Sequence, residues 1–309
     1  MNLISVDEVA KKWKISPRSV RNYCAQGRIA GSILQGKTWW IPESAVKPTR
    51  KERFDQIPQT ISRILKMEME SKLKGGLYHR LQIDFTYNTN HMEGSRLTHE
   101  QTRWIFETMT VGKLDADIPV DDIIETSNHF RCIDKVIASS GAQLTERYIK
   151  ELHRLLKEGT SDSRKAWFAV GDYKRLENVV GDMDTCPVKK VHAEIVKLLA
   201  SYNASAKTFD DLVDFHVRFE QIHPFQDGNG RVGRLILLKE CLKQGHVPFV
   251  IAENLKRFYY MGLEDWRHGR RARLLDTCRT GQDVFVLGLR QFGHTKIAAA
   301  AGKTIGVTA

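Results

Sequence analysis

A base, an acid and a glycine-rich turn lie within one short stretch of this sequence. His223 can accept a proton near neutral pH. Asp227 is a hard carboxylate, which suits a magnesium ion that keeps most of its water and bridges phosphates. Gly228 and Gly230 allow backbone conformations in which the amide N–H groups around Asn229 converge on one anion. The stretch therefore predicts a phosphate-binding turn with a base at its mouth.

Two arginines follow the turn, and helices are predicted on both sides of it. Arg231 and Arg234 are one helical turn apart, so both guanidinium groups can address a polyphosphate with planar donor forks. Apolar residues recur at helical spacing in 209–220 and again in 232–238. We expect a polar loop between two buried helices, the second starting at Arg231, with Phe225 pointing inward to anchor the loop.

The complete pattern resembles the signature of the Fic family, H-x-F-x-[D/E]-G-N-G-R-x-x-R. Every specified position is present from His223 to Arg234. A lone Gly-Asn-Gly is usually only a turn, and a lone histidine beside proline is more often structural; the full pattern favours function. The resemblance covers about residues 79–270 and implies a mainly α fold, in which a helical core carries a small β-hairpin flap.

The resemblance also implies a reaction: transfer of AMP from ATP, the co-substrate, to a hydroxyl of a target protein, with release of pyrophosphate. His223 would remove the proton of a Ser, Thr or Tyr hydroxyl, and Asp227 would hold the cofactor Mg²⁺ between the α- and β-phosphates. Tyr260 would line the adenine pocket, although such a tyrosine is more often a core residue. The nucleotide-binding residues implied are Phe225, Gly228, Asn229, Gly230, Arg231, Arg234 and Tyr260.

A second motif lies upstream, at the end of a predicted helix. Thr89, Glu93 and Gly94 match the Fic inhibitory pattern [S/T]-x-x-x-E-[G/N]. The alternative is a plain core helix that Gly94 ends. The resemblance implies an inhibitory helix over 79–94 that places Glu93 beside Arg234. The ion pair between them would occupy the guanidinium that should bind the γ-phosphate.

Residues 171–181 are bounded by glycines and lack a helical stripe. They resemble the Fic flap, a hairpin that registers an extended segment of the target by strand addition. One departure from the family is Asn178, which stands where an apolar residue is common. The target-docking residues implied are Glu177, Asn178, Val179 and Val180.

The N-terminal 48 residues predict two short helices followed by a hairpin. A capping box starts the first helix at Ser5, Ser16 starts the second, and Gly36 joins two short strands. This resembles the excisionase-type winged helix-turn-helix, and residues 1–52 carry a net charge of +6, ten Lys or Arg against four Asp or Glu. The DNA-binding residues implied are Arg18, Ser19, Arg21, Asn22 and Lys37. The alternative is a helical protein-interaction module with a solvated basic face.

Composition sets the remaining expectations. The chain has 309 residues, a net charge of +11 and five cysteines without metal-ligand spacing, so we expect reduced thiols and an anionic partner. Neither a membrane span nor a signal peptide is predicted, which favours the cytoplasm. We expect a winged helix-turn-helix domain (1–48), a linker and packing helix (49–78), a Fic domain (79–290) and a tail (291–309).

The expected partners are ATP, a target protein and double-stranded DNA. The helix within 49–78 either packs on the core or pairs two chains as a homodimer. Two other functions remain open. One is a DNA-binding transcriptional regulator whose Fic core only senses nucleotide. The other is a Fic enzyme that removes AMP, or that transfers another phosphate-linked group.

Overall fold

The computed structural model describes residues 2–48, 60–112, 117–180 and 183–291. The described residues form mainly helices and fall into two compact units. One unit combines 2–48 with 251–291, and the other is 60–250. Residues 251–290, which the sequence division assigned to the Fic domain, therefore group with the N-terminal segment.

The N-terminal part of the first unit contains the two helices and the hairpin expected from sequence. Its three strands form an antiparallel sheet in the order β1-β3-β2, in which β1 is an addition that the sequence did not predict. Ser5 caps the first helix in a capping box with Glu8, as expected. The elements are β1 (Leu3–Ser5), α1 (Val6–Trp13), α2 (Pro17–Ala25), β2 (Ile33–Gln35) and β3 (Thr38–Pro42).

Two C-terminal helices complete the first unit, α11 (Glu253–Arg267) and α12 (Ala272–Gln291). They approach closely at Gly262, where an added Cβ would lie 2.9 Å from the backbone of Leu274. The second of these helices also packs against α2. The helix over 272–291 was not predicted from the sequence.

The second unit is a helical assembly with one two-stranded hairpin. A capping box between Thr98 and Gln101 opens α5. The helices are α3 (Thr60–Ser71), α4 (Leu77–Met92), α5 (His99–Thr108), α6 (Val120–Ala138), α7 (Glu146–Lys157), α8 (Val191–Ala204), α9 (Phe209–Ile222) and α10 (Asn229–Gln244), and the strands are β4 (Val179–Val180) and β5 (Met183–Asp184).

Helix α10 lies at the centre of this unit. Its residues from Asn229 to Leu242 are all buried, and it packs on α9, α6, α7 and α4. Even its charged residues are paired inside: Lys239 donates to Glu240 at 2.5 Å, and Glu240 accepts from the Tyr202 hydroxyl at 2.6 Å. The signature residues at the start of α10 are therefore fixed by packing within the core of this unit.

The hairpin differs in position from the predicted flap. The sequence placed it within 171–181, whereas β4 and β5 occupy Val179–Val180 and Met183–Asp184. Residues before β4 instead form a stem that runs along the signature loop, described below. In the part of the chain that the structure describes, no helix is both long and apolar enough to span a membrane.

Candidate active site

The signature loop connects α9 to α10. His223 ends α9 in a left-handed conformation (φ 50°), and its backbone N–H donates to the Phe219 carbonyl at 3.0 Å. Asn229 then closes the loop: its Oδ1 accepts from Phe225 N at 2.8 Å, and its Nδ2 donates to Phe225 O at 2.9 Å. Because the Asn229 side chain is buried and both of its polar atoms bond to Phe225, it braces the loop, whereas the sequence assigned Asn229 to nucleotide binding.

Phe225 anchors the loop from below, in agreement with the inward orientation expected. It is fully buried, and its ring lies flat on His153 with centroids 3.9 Å apart. His153 is held in turn because its Nδ1 accepts from Gly171 N at 2.9 Å, and burial lowers the pKa of His153 to about 3. Phe225 therefore supports the site through packing, which corrects its assignment as a nucleotide contact.

The two glycines serve different needs. Gly228 has a φ of +81°, the left-handed region that favours glycine. Gly230 has no such φ; a Cβ there would overlap the Glu93 carboxylate and lie 2.9 Å from Arg234 Nη1. The expectation that both glycines supply unusual backbone angles is thus wrong for Gly230, which supplies space. The helix also begins at Asn229, two residues before the predicted start.

Arg234 contacts the end of α4. Its Nη2 donates to Glu93 Oε1 at 2.5 Å and to the Thr89 carbonyl at 3.2 Å, and the arginine is buried. Burial alone would raise the pKa of Glu93, but Arg234 and Arg231 lower it, so the carboxylate stays ionised. Gly94 follows with a φ of +95° and ends the helix. The structure brings together the acid and the guanidinium that the sequence paired.

Arg231 and Lys157 both hold Asp227. Arg231 Nη2 donates to Asp227 Oδ2 at 2.8 Å, and Lys157 Nζ donates to the same oxygen at 2.7 Å. Arg231 also donates to Glu125. Burial would raise the pKa of Asp227, but the Arg231 and Lys157 cations hold it well below its usual range. Asp227 is therefore ionised at every physiological pH.

The ligands available around Asp227 determine which kind of metal ion could bind there. Among the described residues, no group of three His, Cys, Asp or Glu side chains could hold a metal ion. The Asp227 side chain is 45% exposed, so its carboxylate is reachable from solvent. Mg²⁺ is commonly held by one or two carboxylates while water and substrate phosphates supply the other ligands. The residues therefore fit a cation that arrives with a nucleotide.

His223 lies beside this group and is held neutral. Burial and the Lys174 ammonium lower the pKa of His223 to about 4, although the Glu220 carbonyl, Glu93 and Asp227 act in the opposite direction. At pH 7 the imidazole is therefore unprotonated. A neutral imidazole can accept a proton from a hydroxyl.

The residues before β4 form the stem that joins the flap to the loop. Lys174 N donates to Pro224 O at 2.9 Å, and Asn178 Nδ2 donates to Phe225 O at 3.1 Å. Lys174 Nζ also donates to Asn178 Oδ1 at 2.7 Å. Asn178, the departure from the family pattern, is thus a polar link between the flap and the signature loop.

Of the four predicted docking residues, two are engaged internally. Asn178 bonds to the loop, and the Glu177 carboxylate accepts from Val188 N at 3.1 Å. Val179 is 62% exposed and remains accessible to another strand. The backbone of Val180 lies in β4. The side chains of Glu177 and Asn178 therefore stabilise the stem, and docking of a target strand on the backbone of these residues stays a prediction.

The predicted DNA-binding residues lie in the first unit and do not form one open face. Ser19 is 1% exposed, and its Oγ is 2.8 Å from Thr280 Oγ1 on α12. Asn22 Nδ2 donates to Asp283 Oδ2 at 3.2 Å on the same helix. These two assignments are corrected, since α12 covers both side chains. Arg21 and Lys37 are exposed and Arg18 is partly exposed.

Tyr260 is also in the first unit, on α11. Its side chain is 42% exposed, and its ring meets Tyr259 edge to face at 5.4 Å. Tyr259 is the buried member of this pair. The core alternative therefore applies to Tyr259, and adenine binding by Tyr260 stays a prediction.

Sequence reasoning missed several charged residues around the signature. Their shared feature is a charged group that is at least partly buried among residues distant in sequence, which local spacing does not reveal. Glu220 offered one signal, because it extends the apolar face of α9 one turn before His223. Burial raises the pKa of Glu220 to about 7, against the lowering effect of Arg234. The residues missed are Glu125, Lys157, Asp162, Lys174 and Glu220.

Residues 143–241 match the family model described as Fic/DOC family. This stretch is thus similar to the Fic/DOC family, and it contains the loop between α9 and α10. Protein adenylyltransferase Fic of Nematostella vectensis is 22% identical over 232 residues, which cover 72% of this chain and 52% of that protein. A probable protein adenylyltransferase of Aquifex aeolicus is 25% identical over 162 residues, 48% of this chain and 49% of that protein.

Solved structures agree on the fold. A Fic domain containing signaling protein from Bacteroides thetaiotaomicron superposes with a TM-score of 0.58 at 21% identity, covering 80% of this chain and 99% of that one. Fic-1 of C. elegans gives a TM-score of 0.59 at 16% identity, covering 78% and 73%. The chain spans about half the length, or less, of the curated relatives it matches.

Proposed function

We propose that this protein is an adenylyltransferase that moves AMP from ATP to a hydroxyl side chain of a target protein, and that Glu93 holds it in an inhibited state. The observation that carries the proposal is the contact of Glu93 with Arg234, the last residue of the complete signature. The names of the relatives, protein adenylyltransferases, support the reaction class.

The roles of the residues follow from their chemistry. The neutral imidazole of His223 takes the proton of the target hydroxyl, whose oxygen attacks the α-phosphorus as the bond to the β-phosphate oxygen breaks and pyrophosphate leaves. The N–H groups at the start of α10 face developing negative charge on the phosphates. Asp227 would hold the Mg²⁺ that accompanies ATP, and this cation would neutralise phosphate charge.

Inhibition follows from competition for one guanidinium. While Arg234 donates to Glu93, it is not available to a γ-phosphate, so ATP binds without the arginine that orients its triphosphate. A ligand or partner activates the protein to the extent that it prefers the state in which Glu93 has left.

The experiment is labelling of the protein and of a cell lysate with ATP radioactive at the α-phosphate. Glu93→Gly should raise incorporation by at least about tenfold, because Arg234 is released for the nucleotide. Adding His223→Ala in that background should abolish it, through loss of the base. Glu100→Gly, at an exposed acid on α5, is the matched control and should leave incorporation at the wild-type level.

Other results would redirect the assignment. Equal labelling of the Glu93→Gly protein with and without His223 overturns the proposed reaction. Binding of ATP by the Glu93→Gly protein without transfer would favour a nucleotide sensor. Release of AMP from a previously modified protein would favour the reverse direction.

A further inference from the structure

Lys157 ends α7 with its ammonium buried among acids. Its side chain is 2% exposed, and Nζ donates to Glu125 Oε1 at 2.5 Å, Asp227 Oδ2 at 2.7 Å and Asp162 Oδ2 at 2.9 Å. An ammonium has three N–H donors, so all three are used by carboxylates. Neither the family signature nor the inhibitory pattern contains this residue.

Arg231 closes the group into a ring of alternating charge. It donates to both Glu125 and Asp227, the acids that Lys157 also contacts. Lys157 and Arg231 thus bring two positive charges to the carboxylates of Glu125, Asp162 and Asp227, and the exposed Lys165 ammonium pairs with Asp162 as well. Removing Lys157 would make the net charge of this group more negative by one.

We propose that Lys157 is a positioning residue that fixes the Asp227 carboxylate and, by its charge, prevents Asp227 from holding a divalent cation before a nucleotide is present. The inference rests on the proposed function, because it concerns the metal that accompanies ATP. A cation then binds tightly only when phosphate oxygens supply further negative charge.

The exposure of the two side chains supports this role. Lys157 approaches the carboxylate from the protein interior, whereas the Asp227 side chain is 45% exposed. A cation entering from solvent therefore meets a carboxylate whose charge is already shared with Lys157 and Arg231. Like charges this close interact strongly where solvent screening is weak.

A purely structural salt bridge is the competing explanation, since Lys157 also ties α7 to the loop. Removing one partner of a buried ion pair destabilises a protein whatever its ligands. A structural role predicts that loss of Lys157 lowers the melting temperature equally with and without divalent cations. The proposed role predicts in addition a change in cation affinity.

The test is titration of the full-length, nucleotide-free protein with Mn²⁺, followed by electron paramagnetic resonance. Lys157→Met should bind Mn²⁺ at least about tenfold more tightly than wild type, because the repelling charge is gone, and Mn²⁺ should raise its melting temperature more. Lys157→Arg keeps the charge and should resemble wild type. Lys165→Met is the matched control, because Lys165 contacts Asp162 at 2.7 Å from an exposed position.

An equal Mn²⁺ affinity for the folded Lys157→Met and Lys165→Met proteins overturns the inference. Glu125→Gln provides a second test that does not depend on the folding of Lys157→Met. It removes one negative charge at nearly constant shape, so the gain in ATP affinity caused by Mn²⁺ should fall by about tenfold. An unchanged gain also overturns the inference.

The labelling experiment separates this inference from the proposed function. AMP transfer without any effect of Lys157 on Mn²⁺ binding rejects the role of Lys157 alone. A clear effect of Lys157 on Mn²⁺ binding without AMP transfer rejects the reaction and leaves the role of Lys157 in place.

Discussion

In the proposed reaction His223 acts as the base, and the structure holds its imidazole in the unprotonated form at neutral pH. Burial and Lys174 lower the pKa of the imidazole to about 4, so its protonation is unfavourable throughout the neutral range. A base with so low a pKa is a weak one. The attacking hydroxyl therefore depends on the surrounding groups for most of its activation, through the position of the phosphates and the charge near them.

Glu220 predicts a pH dependence of stability. Burial raises its pKa in the folded protein to about 7 from an ordinary value of 4.5, although Arg234 opposes this. The folded state therefore keeps a proton that the unfolded chain loses between these values, and stability falls as pH rises through this window. Between pH 5 and pH 8 the wild type should lose roughly 2 kcal/mol more than Glu220→Gln. Urea unfolding at a series of pH values measures this difference.

The comparison with Glu220→Gln is needed because other groups titrate nearby. Burial lowers the pKa of His153 and His216 to about 3, so their effect on stability has the opposite sign. Both variants share these histidines, which leaves Glu220 as the difference. Glu100→Gln, at an exposed acid, should leave the slope unchanged. Parallel curves for the wild type and Glu220→Gln would contradict the prediction.

Residue types predicted the centre of the site better than its surroundings. The contact of Glu93 with Arg234 agrees with the sequence prediction. The inhibitory pattern and the signature are both local in sequence, and the charges of the two residues favour their pairing. Asn229 and Phe225 differ from expectation because a loop needs its own hydrogen bonds and packing, which a ligand-based motif does not describe. The contact of Lys157 with Asp227, 70 positions apart in sequence, leaves no local pattern to detect.

Among the elements, the contact of α2 with α12 bears on whether the N-terminal helices can bind DNA. Ser19 and Asn22 each bond to a residue of α12. A helix whose polar face is used in this way cannot insert the same side chains into a DNA groove. Recognition of DNA through these residues therefore requires that α12 move away from α2.

One substitution can measure how much the hydrogen bond between Ser19 and Thr280 contributes to stability. Thr280→Val removes a buried hydroxyl that bonds both to Ser19 and to the Asp276 carbonyl of its own helix. We expect a loss of about 1–2 kcal/mol in the free energy of unfolding of the first unit. Thr277→Val is the control, because the Thr277 hydroxyl donates only within α12, to the Arg273 carbonyl. Chemical denaturation followed by hydrogen exchange in α2 measures both.

The size of the difference decides the interpretation. A larger loss for Thr280→Val than for Thr277→Val assigns free energy to the bond between the helices. Equal losses would mean that the contact with Ser19 contributes nothing to the stability of the first unit.

Helix boundaries were predictable where a cap marks them. Ser5 and Ser16 each accept a backbone N–H at the predicted helix start. The start of α10 was misplaced by two residues because Gly228, in a left-handed conformation, precedes the helix without a side-chain cap. The flap was misplaced because glycines bound its stem and not its strands. Side-chain caps leave a signal in sequence that backbone conformation alone does not.

For the whole molecule, the first unit is made from both ends of the described chain. Removal of all residues after 250 should therefore expose the α2 face and destabilise 2–48, while α10 keeps its packing within 60–250. Hydrogen exchange should show faster exchange in α1 and α2 of the truncated chain and unchanged protection in α10. Equal protection of α2 in both chains would contradict the division into these units.

The sequence could not predict this arrangement. Its two resemblances are local, one to the N-terminal segment and one to residues 79–270, and each suggested a continuous domain. The bond between Ser19 and Thr280 joins residues 261 positions apart, and neither helix carries a pattern that names its partner. The net charge of +11 likewise indicates attraction to anions without indicating which surface attracts them.

The bond between Ser19 and Thr280 also sets an order of events during synthesis. A ribosome that adds roughly 5–20 residues per second makes Ser19 about 10–50 s before Thr280. For that interval the nascent N-terminal segment carries polar side chains whose final partners do not yet exist. Maturation of this segment is therefore timed by the synthesis of α12, and not by its own emergence from the exit tunnel.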